Sequence, residues 1–66
     1  MIKLKIPDMS CAHCAGVITR TVKGIDQHAE LAFEMAQQQV LVGTSAPLGD
    51  IVGALAEAGY PASVVP

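Results

Sequence analysis

Residues 2–16, IKLKIPDMSCAHCAG, change their hydrophobic period part-way along, and this change decides the fold. Aliphatic residues alternate with lysines over residues 2–6, which predicts a strand with one buried face. Pro7 and Asp8 end the strand, and a helical spacing of apolar residues begins near Ala12. The only two cysteines of the chain therefore lie where the loop meets the start of the helix.

The first helix is predicted over residues 12–23, from an apolar stripe with a helical repeat. Gly24 occupies the position where a C-terminal cap is expected. The apolar stripe consists of Cys14, Ile18, Val22 and Ile25. Because the stripe begins at a cysteine, the second thiol is expected in the first turn of the helix.

Two further strands are predicted in the middle of the chain. Alternation returns over residues 29–35, and a second run covers residues 39–42. The two strands are expected to form a hairpin, although the AQQQ connection at residues 36–39 has no Asn-Gly or Asp-Gly turn signal. The buried side of the first of these strands is predicted to hold Ala29, Leu31, Phe33 and Met35.

The last third of the chain is predicted to form a helix followed by a strand. Pro47 opens the helix at a favoured first-turn position, and Gly59 closes it. A final strand is expected from Tyr60 or Pro61 to Val65. The apolar face of the helix consists of Leu48, Ile51, Val52, Leu55 and Ala58.

The resulting order of elements predicts an α+β fold, a ferredoxin-like βαββαβ sandwich in which a four-stranded antiparallel sheet carries two helices on one face. Residues 1–66 are expected to form a single domain. In this topology Tyr60 follows the second helix and should lie beside the cysteine loop. His28 should lie at the opposite end, since a helix of ~12 residues is ~18 Å long.

Composition limits the classes of function. The chain has 66 residues, and its only aromatic residues are Phe33 and Tyr60. Such a small aliphatic core leaves little room for an enzyme cleft, which usually needs roughly 300 Å³ or more. No general base, nucleophile and oxyanion donor are expected to converge, so we predict no enzymatic activity. Four basic residues against six acidic ones, without a basic stripe, argue against a nucleic-acid partner.

The sequence also indicates in which cellular compartment the protein is expected. No stretch approaches the ~20 apolar residues that cross a bilayer, so no membrane insertion is expected. The first ten residues lack the continuous apolar block of a secretory signal, and two cysteines are too few for a disulfide-rich secreted scaffold. A soluble cytoplasmic protein is the expectation, although a mature periplasmic protein would have a similar sequence.

The cysteine pair has four interpretations. A closed zinc site needs four ligands, and the chain offers only Cys11, Cys14 and His13 in this region. A thioredoxin-like redox pair also uses CxxC at a helix N-terminus, but the flanking Trp and Pro of that family are missing. A purely structural disulfide would close a very small loop and stabilise little.

The fourth interpretation is a two-thiolate site for a soft metal ion. Thiolates favour Cu(I), and this ion accepts two or three ligands without requiring a closed shell. The free amides of a helix N-terminus favour the thiolate form of the cysteines. A shallow site with few ligands would let a partner thiolate attack the metal directly, so that the ion moves without release into water.

The motif MSCAHC, residues 9–14, after a first strand resembles the MxCxxC signature of the heavy-metal-associated domain family. The resemblance extends to the length, the βαββαβ order and EAGY, residues 57–60, and it is closest to free-standing bacterial copper chaperones. It implies that Cys11 and Cys14 bind Cu(I) and that Met9 packs under the loop without being a ligand. Many relatives carry glycine where this chain has Asp8.

The resemblance also implies that Tyr60 borders the metal loop, and two roles stay open for it: a half-buried edge residue, or a shield for the metal. The uncharged Ser10 favours Cu(I), because relatives that handle zinc or cadmium often carry Asp at that position. We expect His13 to be a solvated residue at the helix start. The alternative is an auxiliary metal ligand, including one donated to a second molecule.

The resemblance therefore predicts a cytoplasmic copper chaperone that hands Cu(I) to the metal-binding domain of a copper-transporting P-type ATPase. A monomer is expected without metal, and a metal-bridged dimer is an option with metal. Three alternatives stay open at this point: a metal-binding domain cut from a transporter, a carrier of Hg(II) or Zn(II), and a small thiol oxidoreductase.

Overall fold

The computed structural model describes residues 1–66 and contains one four-stranded sheet and two α-helices. The strand order is β2-β3-β1-β4, and every neighbouring pair is antiparallel. This architecture confirms the predicted ferredoxin-like sandwich. The elements are β1 (Ile2–Lys5), α1 (Ala12–Ile25), β2 (Glu30–Glu34), β3 (Gln39–Gly43), α2 (Leu48–Glu57) and β4 (Ser63–Val64).

Strand register places the aliphatic residues of β1 and β3 on the same face of the sheet. Leu4 pairs with Val40, whereas Lys3 pairs with Leu41 on the opposite face. Because successive side chains of a strand point to opposite faces, the alternation in the sequence becomes one apolar sheet face. Both helices cover this face, since the buried residues of α1 and α2 belong to the same core cluster as Leu4 and Val40.

The core consists of eleven buried residues, all of them hydrophobic, and no polar side chain is buried. Its members come from both helices, from strands β1 and β3, from the loop between β1 and α1, and from the turn before β2. That loop contributes Met9, which is fully buried. The core residues are Leu4, Ile6, Met9, Cys14, Ile18, Val22, Ala29, Val40, Val42, Ile51 and Leu55.

Helix α1 ends later than the sequence predicts. Gly24 was expected to be the cap, but it lies inside the helix, and among the glycines only Gly59 has a positive φ. The helix ends where Asp26 turns extended, at φ −139° and ψ 101°, with its backbone N–H still bonded to the carbonyl of Val22. The change of backbone conformation at Asp26, rather than a glycine, therefore stops the helix.

Asp26 also ties the end of α1 to the segment before α2. Its carboxylate accepts hydrogen bonds from the Thr44 hydroxyl at 2.6 Å, the His28 N–H at 3.0 Å and the Ser45 N–H at 3.3 Å. The Thr44 bond is the largest cause that holds the pKa of Asp26 below its usual value. Exposed His28 belongs to this end of the molecule, in the turn before β2, as the topology predicted.

The two remaining strand predictions need correction. Met35 was placed in the second strand, but it begins a 3₁₀ turn, Met35–Gln37, that connects β2 to β3. The final strand was predicted from residue 60 or 61 to 65, and only Ser63–Val64 pair with β1. The chain cannot enter the sheet earlier because the N–H of Tyr60 is bonded to the carbonyl of Leu55 at the end of α2.

The helices are short relative to a lipid bilayer. None of them has both the length and the apolar character that a membrane-spanning helix requires.

Candidate metal centre

Both cysteines lie where the β1–α1 loop enters the helix. Cys11 is the residue before the first turn of α1, with an extended backbone (φ −152°, ψ 167°) and an exposed side chain. Cys14 lies within the first turn and is only 9% exposed. The helix N-terminus, with its unpaired N–H groups, stabilises negative charge on nearby sulfur. One thiol thus faces solvent, and the other is anchored in the core.

The two sulfur atoms lie close together but are not bonded. The distance between the Sγ atoms of Cys11 and Cys14 is 3.1 Å, and both thiols are free. A disulfide would require a separation of about 2.05 Å. Two neighbouring thiols, one of them exposed, are a candidate donor pair for a soft metal ion.

The surroundings of Cys14 favour its thiolate. Its pKa is lowered from 9.0 to about 7, and hydrogen bonding by the Tyr60 hydroxyl is the largest cause. The backbone of Ser10 and the thiol of Cys11 act in the same direction, while burial opposes them. With a pKa near 7 this sulfur is thiolate in a substantial fraction of molecules at neutral pH, and the thiolate binds a metal ion without first having to lose a proton.

Tyr60 lies beside the cysteine loop, where the topology placed it. The neighbouring Cys14 thiol is the largest cause that, together with burial, raises the pKa of Tyr60. The negative charges of Cys11 and Asp8 act on Tyr60 in the same direction. Tyr60 is half-buried and packs against the core cluster.

The C-terminus of α2 explains how the sequence brings Tyr60 to this position. The Gly59 N–H bonds to the carbonyl of Ala56 at 3.1 Å, and the Tyr60 N–H bonds to the carbonyl of Leu55 at 2.8 Å. These two bonds, with Gly59 at φ 92°, form a Schellman motif. Glycine allows the left-handed backbone, and the reversal of the chain directs Tyr60 towards the loop.

Met9 lies below the cysteine loop and belongs to the core. Its side chain is fully buried, and its N–H donates to the carbonyl of Ile6 at 3.0 Å. A thioether in this environment fills apolar space, which agrees with the packing role that the resemblance implied.

His13 is not brought to the sulfurs. It is exposed on the outer side of α1, where it lines an open depression of about 510 Å³ with Val17, Arg20 and Thr21. No group of three or more His, Cys, Asp or Glu side chains in the molecule is arranged to hold a metal ion. Any ligand beyond the two cysteines would therefore come from outside this chain or require a rearrangement of the loop.

The sequence analysis missed one residue near the loop. Gln38 donates its side-chain N–H to the carbonyl of Pro7 at 3.0 Å, although the two residues are 31 positions apart. A hydrogen bond between distant residues leaves no local pattern of hydrophobicity or spacing. Only the closing of the β2–β3 hairpin beside β1 brings the two groups together.

The chain matches the sequence profile of a known protein family. The profile of the heavy-metal-associated domain matches residues 3–61 of the chain. The chain belongs to this family. Membership of this family, together with the metal-binding proteins that share the fold, supports heavy-metal binding.

Solved structures with this fold include several metal-binding proteins. A gold binding protein is 31% identical, with a TM-score of 0.93 over 98% of this chain and 100% of that one. The copper chaperone Atx1 from Synechocystis PCC6803, in a trimeric form, is 25% identical, with a TM-score of 0.91 over 96% and 100%. The N-terminal domain of PacS from the same organism is 29% identical, with a TM-score of 0.83 over 98% and 96%. No curated protein sequence matches the chain significantly.

Proposed function

We propose that this heavy-metal-associated domain is a cytoplasmic copper chaperone, which binds Cu(I) through Cys11 and Cys14 and passes it to the metal-binding domain of a copper-transporting P-type ATPase. The observation that carries the proposal is the sulfur pair, 3.1 Å apart, with one thiol exposed and the other buried. Two soft ligands suit an ion that needs only two or three. The likeness to the copper chaperone Atx1 supports this choice of cargo.

The asymmetry of the two cysteines suggests how the ion is handed on. A thiolate of the partner approaches from the exposed side and forms a bond to Cu(I), which then has three sulfur ligands. The bond to Cys11 breaks first, because this side chain lies at the surface and is free to move away. A second partner thiolate then replaces Cys14. Copper stays in the +1 state throughout, and the released sulfurs take up protons from water when they return to the thiol form.

The compartment and assembly state follow from the same thiols. A two-thiolate Cu(I) site needs both cysteines reduced, and the cytoplasm keeps thiols reduced, so the proposed site suits a cytoplasmic location. Without metal the domain is a monomer, and docking to the ATPase buries less than about 1,200 Å² as a transient contact. When there is less than one metal ion per chain, two copies share an ion through their exposed sulfurs, and the exposed imidazole of His13 is available as a further ligand.

The central experiment is an anaerobic titration of Cu(I) against a competing chelator. The wild-type chain should bind one Cu(I) tightly, and Cys11→Ser combined with Cys14→Ser should abolish binding. Ser10→Ala, next to the same loop, is the matched control and should bind like wild type. Circular dichroism of each variant confirms the fold. Tight Cu(I) binding by the folded double variant would refute the site.

A second titration separates the competing cargoes. The likeness to a gold binding protein makes Au(I) the first ion to compare with Cu(I), followed by Hg(II) and Zn(II). A copper chaperone should release Cu(I) to a homologous heavy-metal-associated domain even when excess chelator is present. An insulin-reduction assay tests the oxidoreductase alternative, and turnover in that assay would contradict the chaperone proposal.

A further inference from the structure

Gln38 has an unusual backbone conformation for its residue type. It is the only residue other than glycine with a positive φ, at φ 57° and ψ 41°. A β-carbon makes this left-handed conformation unfavourable, so it persists only where surrounding contacts hold it. Gln38 ends the 3₁₀ turn between β2 and β3, and its N–H bonds to the carbonyl of Met35 at 3.1 Å.

Two further contacts of Gln38 lead to the end of β1. Its backbone carbonyl accepts the N–H of Ile6 at 2.8 Å, and its side-chain amide donates to the carbonyl of Pro7 at 3.0 Å. Because a carbonyl can only accept, the donor must be the NH₂ of the side chain. The Lys5 ammonium group adds a bond at 2.7 Å to the carbonyl of Gln37. The hairpin connection is thus fastened to the segment just before the cysteine loop.

That segment is a tight turn whose geometry can be assigned. The Met9 N–H bonds to the carbonyl of Ile6 at 3.0 Å, which closes a β-turn with Pro7 and Asp8 at its centre. A type II turn would need a positive φ at Asp8, and Asp8 does not have one. The turn therefore belongs to the type I class. The two types differ mainly by a flip of the peptide between Pro7 and Asp8, and Gln38 binds the oxygen of that peptide.

We propose that Gln38 is a positioning residue for the metal site, whose side-chain amide fixes the Pro7–Asp8 peptide and thereby pre-organises the loop carrying Cys11 and Cys14. The inference rests on the proposed function, since it assigns to Gln38 an effect on metal binding. A loop that populates its binding-competent conformation only part of the time binds its ligand correspondingly more weakly. Loss of the Gln38 bond reduces that population.

The loop has few other restraints. Between Asp8 and Cys11, no side chain forms a hydrogen bond other than the contact between the two sulfurs. The loop is fixed downstream by α1 and from below by the buried side chain of Met9. Upstream, the loop is attached to the turn that Gln38 binds. The conformation of this turn therefore sets the direction in which the backbone approaches the cysteines.

The sequence supplies a matched control. Residues 37, 38 and 39 are consecutive glutamines, and among them only Gln38 uses its side chain in a hydrogen bond. Gln38→Glu keeps the shape of the side chain but replaces the donor by an oxygen that cannot donate to the Pro7 carbonyl. Gln37→Glu introduces the same charge one residue away without removing a side-chain bond. Gln38→Gly removes the side chain and tolerates the left-handed backbone, so it serves if the Gln38→Glu variant folds poorly.

The test combines a measurement on the metal-free chain with one on metal binding. NMR relaxation dispersion of the amides of Asp8, Ser10 and Cys11 should reveal microsecond-to-millisecond exchange in Gln38→Glu and Gln38→Gly. Wild type and Gln37→Glu should show none. In the chelator competition, Cu(I) affinity should fall about two- to tenfold in the Gln38 variants, as expected for one lost neutral hydrogen bond, and stay unchanged in Gln37→Glu.

The outcomes separate the two proposals. Equal loop dynamics and equal Cu(I) affinity in the Gln38 and Gln37 variants would overturn the role of Gln38. Thermal unfolding of each variant shows whether the substitution lowers the stability of the whole domain. Weaker Cu(I) binding that comes with such a general loss of stability, and without exchange confined to the loop, would also overturn the role of Gln38. If wild type itself failed to bind Cu(I), the proposed function would fail, while the dispersion measurement would still decide whether Gln38 fixes the turn.

Discussion

The sulfur atoms of Cys11 and Cys14 are closer together than two ligands of one metal ion can be in an open geometry. Their separation is 3.1 Å. With metal–sulfur bonds of about 2.3 Å, as in zinc thiolates, this separation corresponds to an S–metal–S angle of roughly 85°. A tetrahedral angle needs about 3.8 Å between the sulfurs and a linear arrangement about 4.6 Å. The loop must therefore open when the ion binds.

We expect Cys11 to make this movement. Cys14 is held within the first turn of α1 and is largely buried, whereas Cys11 is exposed and precedes the helix. A structure of the Cu(I)-loaded chain should show Cys11 displaced outward, Cys14 in place, and the sulfurs more than about 3.8 Å apart. Sulfurs that remained at 3.1 Å, or a displaced Cys14, would contradict this assignment of the mobile ligand.

Tyr60→Phe tests the control of the Cys14 thiolate. Removing the hydroxyl removes the largest cause of the lowered pKa, so the pKa of Cys14 should rise from about 7 towards 9.0. The titration is followed by NMR of the Cys14 β-carbon in the metal-free chain. An unchanged pKa in the folded variant would show that Tyr60 does not stabilise the thiolate.

The lowered pKa of Cys14 makes the stability of the folded state depend on pH. The unfolded thiol keeps its proton up to about pH 9.0, while folded Cys14 releases it near pH 7. Between these values the unfolded state binds more protons, so this group's contribution to stability rises with pH across the window and is lost as pH falls through about 7. The melting temperature of wild type should gain more between pH 7 and pH 9 than that of Tyr60→Phe. Parallel profiles would contradict the linkage.

Met9 substitutions separate packing from ligation. The side chain is fully buried, so Met9→Leu, which conserves volume, should cost less than about 1.5 kcal/mol of unfolding free energy. Met9→Ala should cost about 2–5 kcal/mol, because it leaves a cavity. Chemical denaturation measures both values. Cu(I) affinity of Met9→Leu should equal that of wild type, and a large loss in the folded variant would identify the thioether as a ligand.

Gly59→Ala tests the turn that positions Tyr60. A β-carbon at φ 92° should destabilise the domain by about 1–2 kcal/mol and displace Tyr60, which raises the pKa of Cys14. The matched control is Gly53→Ala, inside α2 with no atom within 4 Å of the new β-carbon. That change should stabilise by about 0.5–1 kcal/mol and leave the pKa of Cys14 unchanged. Equal effects of the two substitutions would argue against the role of the Schellman motif.

Most of the fold could be predicted from local patterns in the sequence. The alternation in β1 and the apolar stripe of α1 were enough to predict that Cys14 lies in the core and Cys11 in the loop. Each pattern has a single period, and this period defines which face of the element is buried. Topology alone placed Tyr60 near the sulfurs. Glycine residues predicted the helix ends less well. Gly59 does end its helix, whereas Gly24 does not, because the change to an extended backbone occurs at Asp26.

The features that the sequence did not reveal depend on contacts between distant segments. The bond between Gln38 and Pro7 exists only after β3 pairs with β1. The short extent of β4 follows from the use of the Tyr60 N–H in the turn after α2. The 3.1 Å separation of the sulfurs likewise depends on the backbone of the whole loop rather than on the spacing CxxC alone.

X-ray absorption of the chain loaded anaerobically with one Cu(I) tests the ligand set most directly. The account predicts copper in the +1 state with two sulfur neighbours from Cys11 and Cys14, and no more than one additional ligand from solvent or a partner molecule. A spectrum dominated by nitrogen or oxygen neighbours, or one unchanged when both cysteines are replaced by serine, would contradict it.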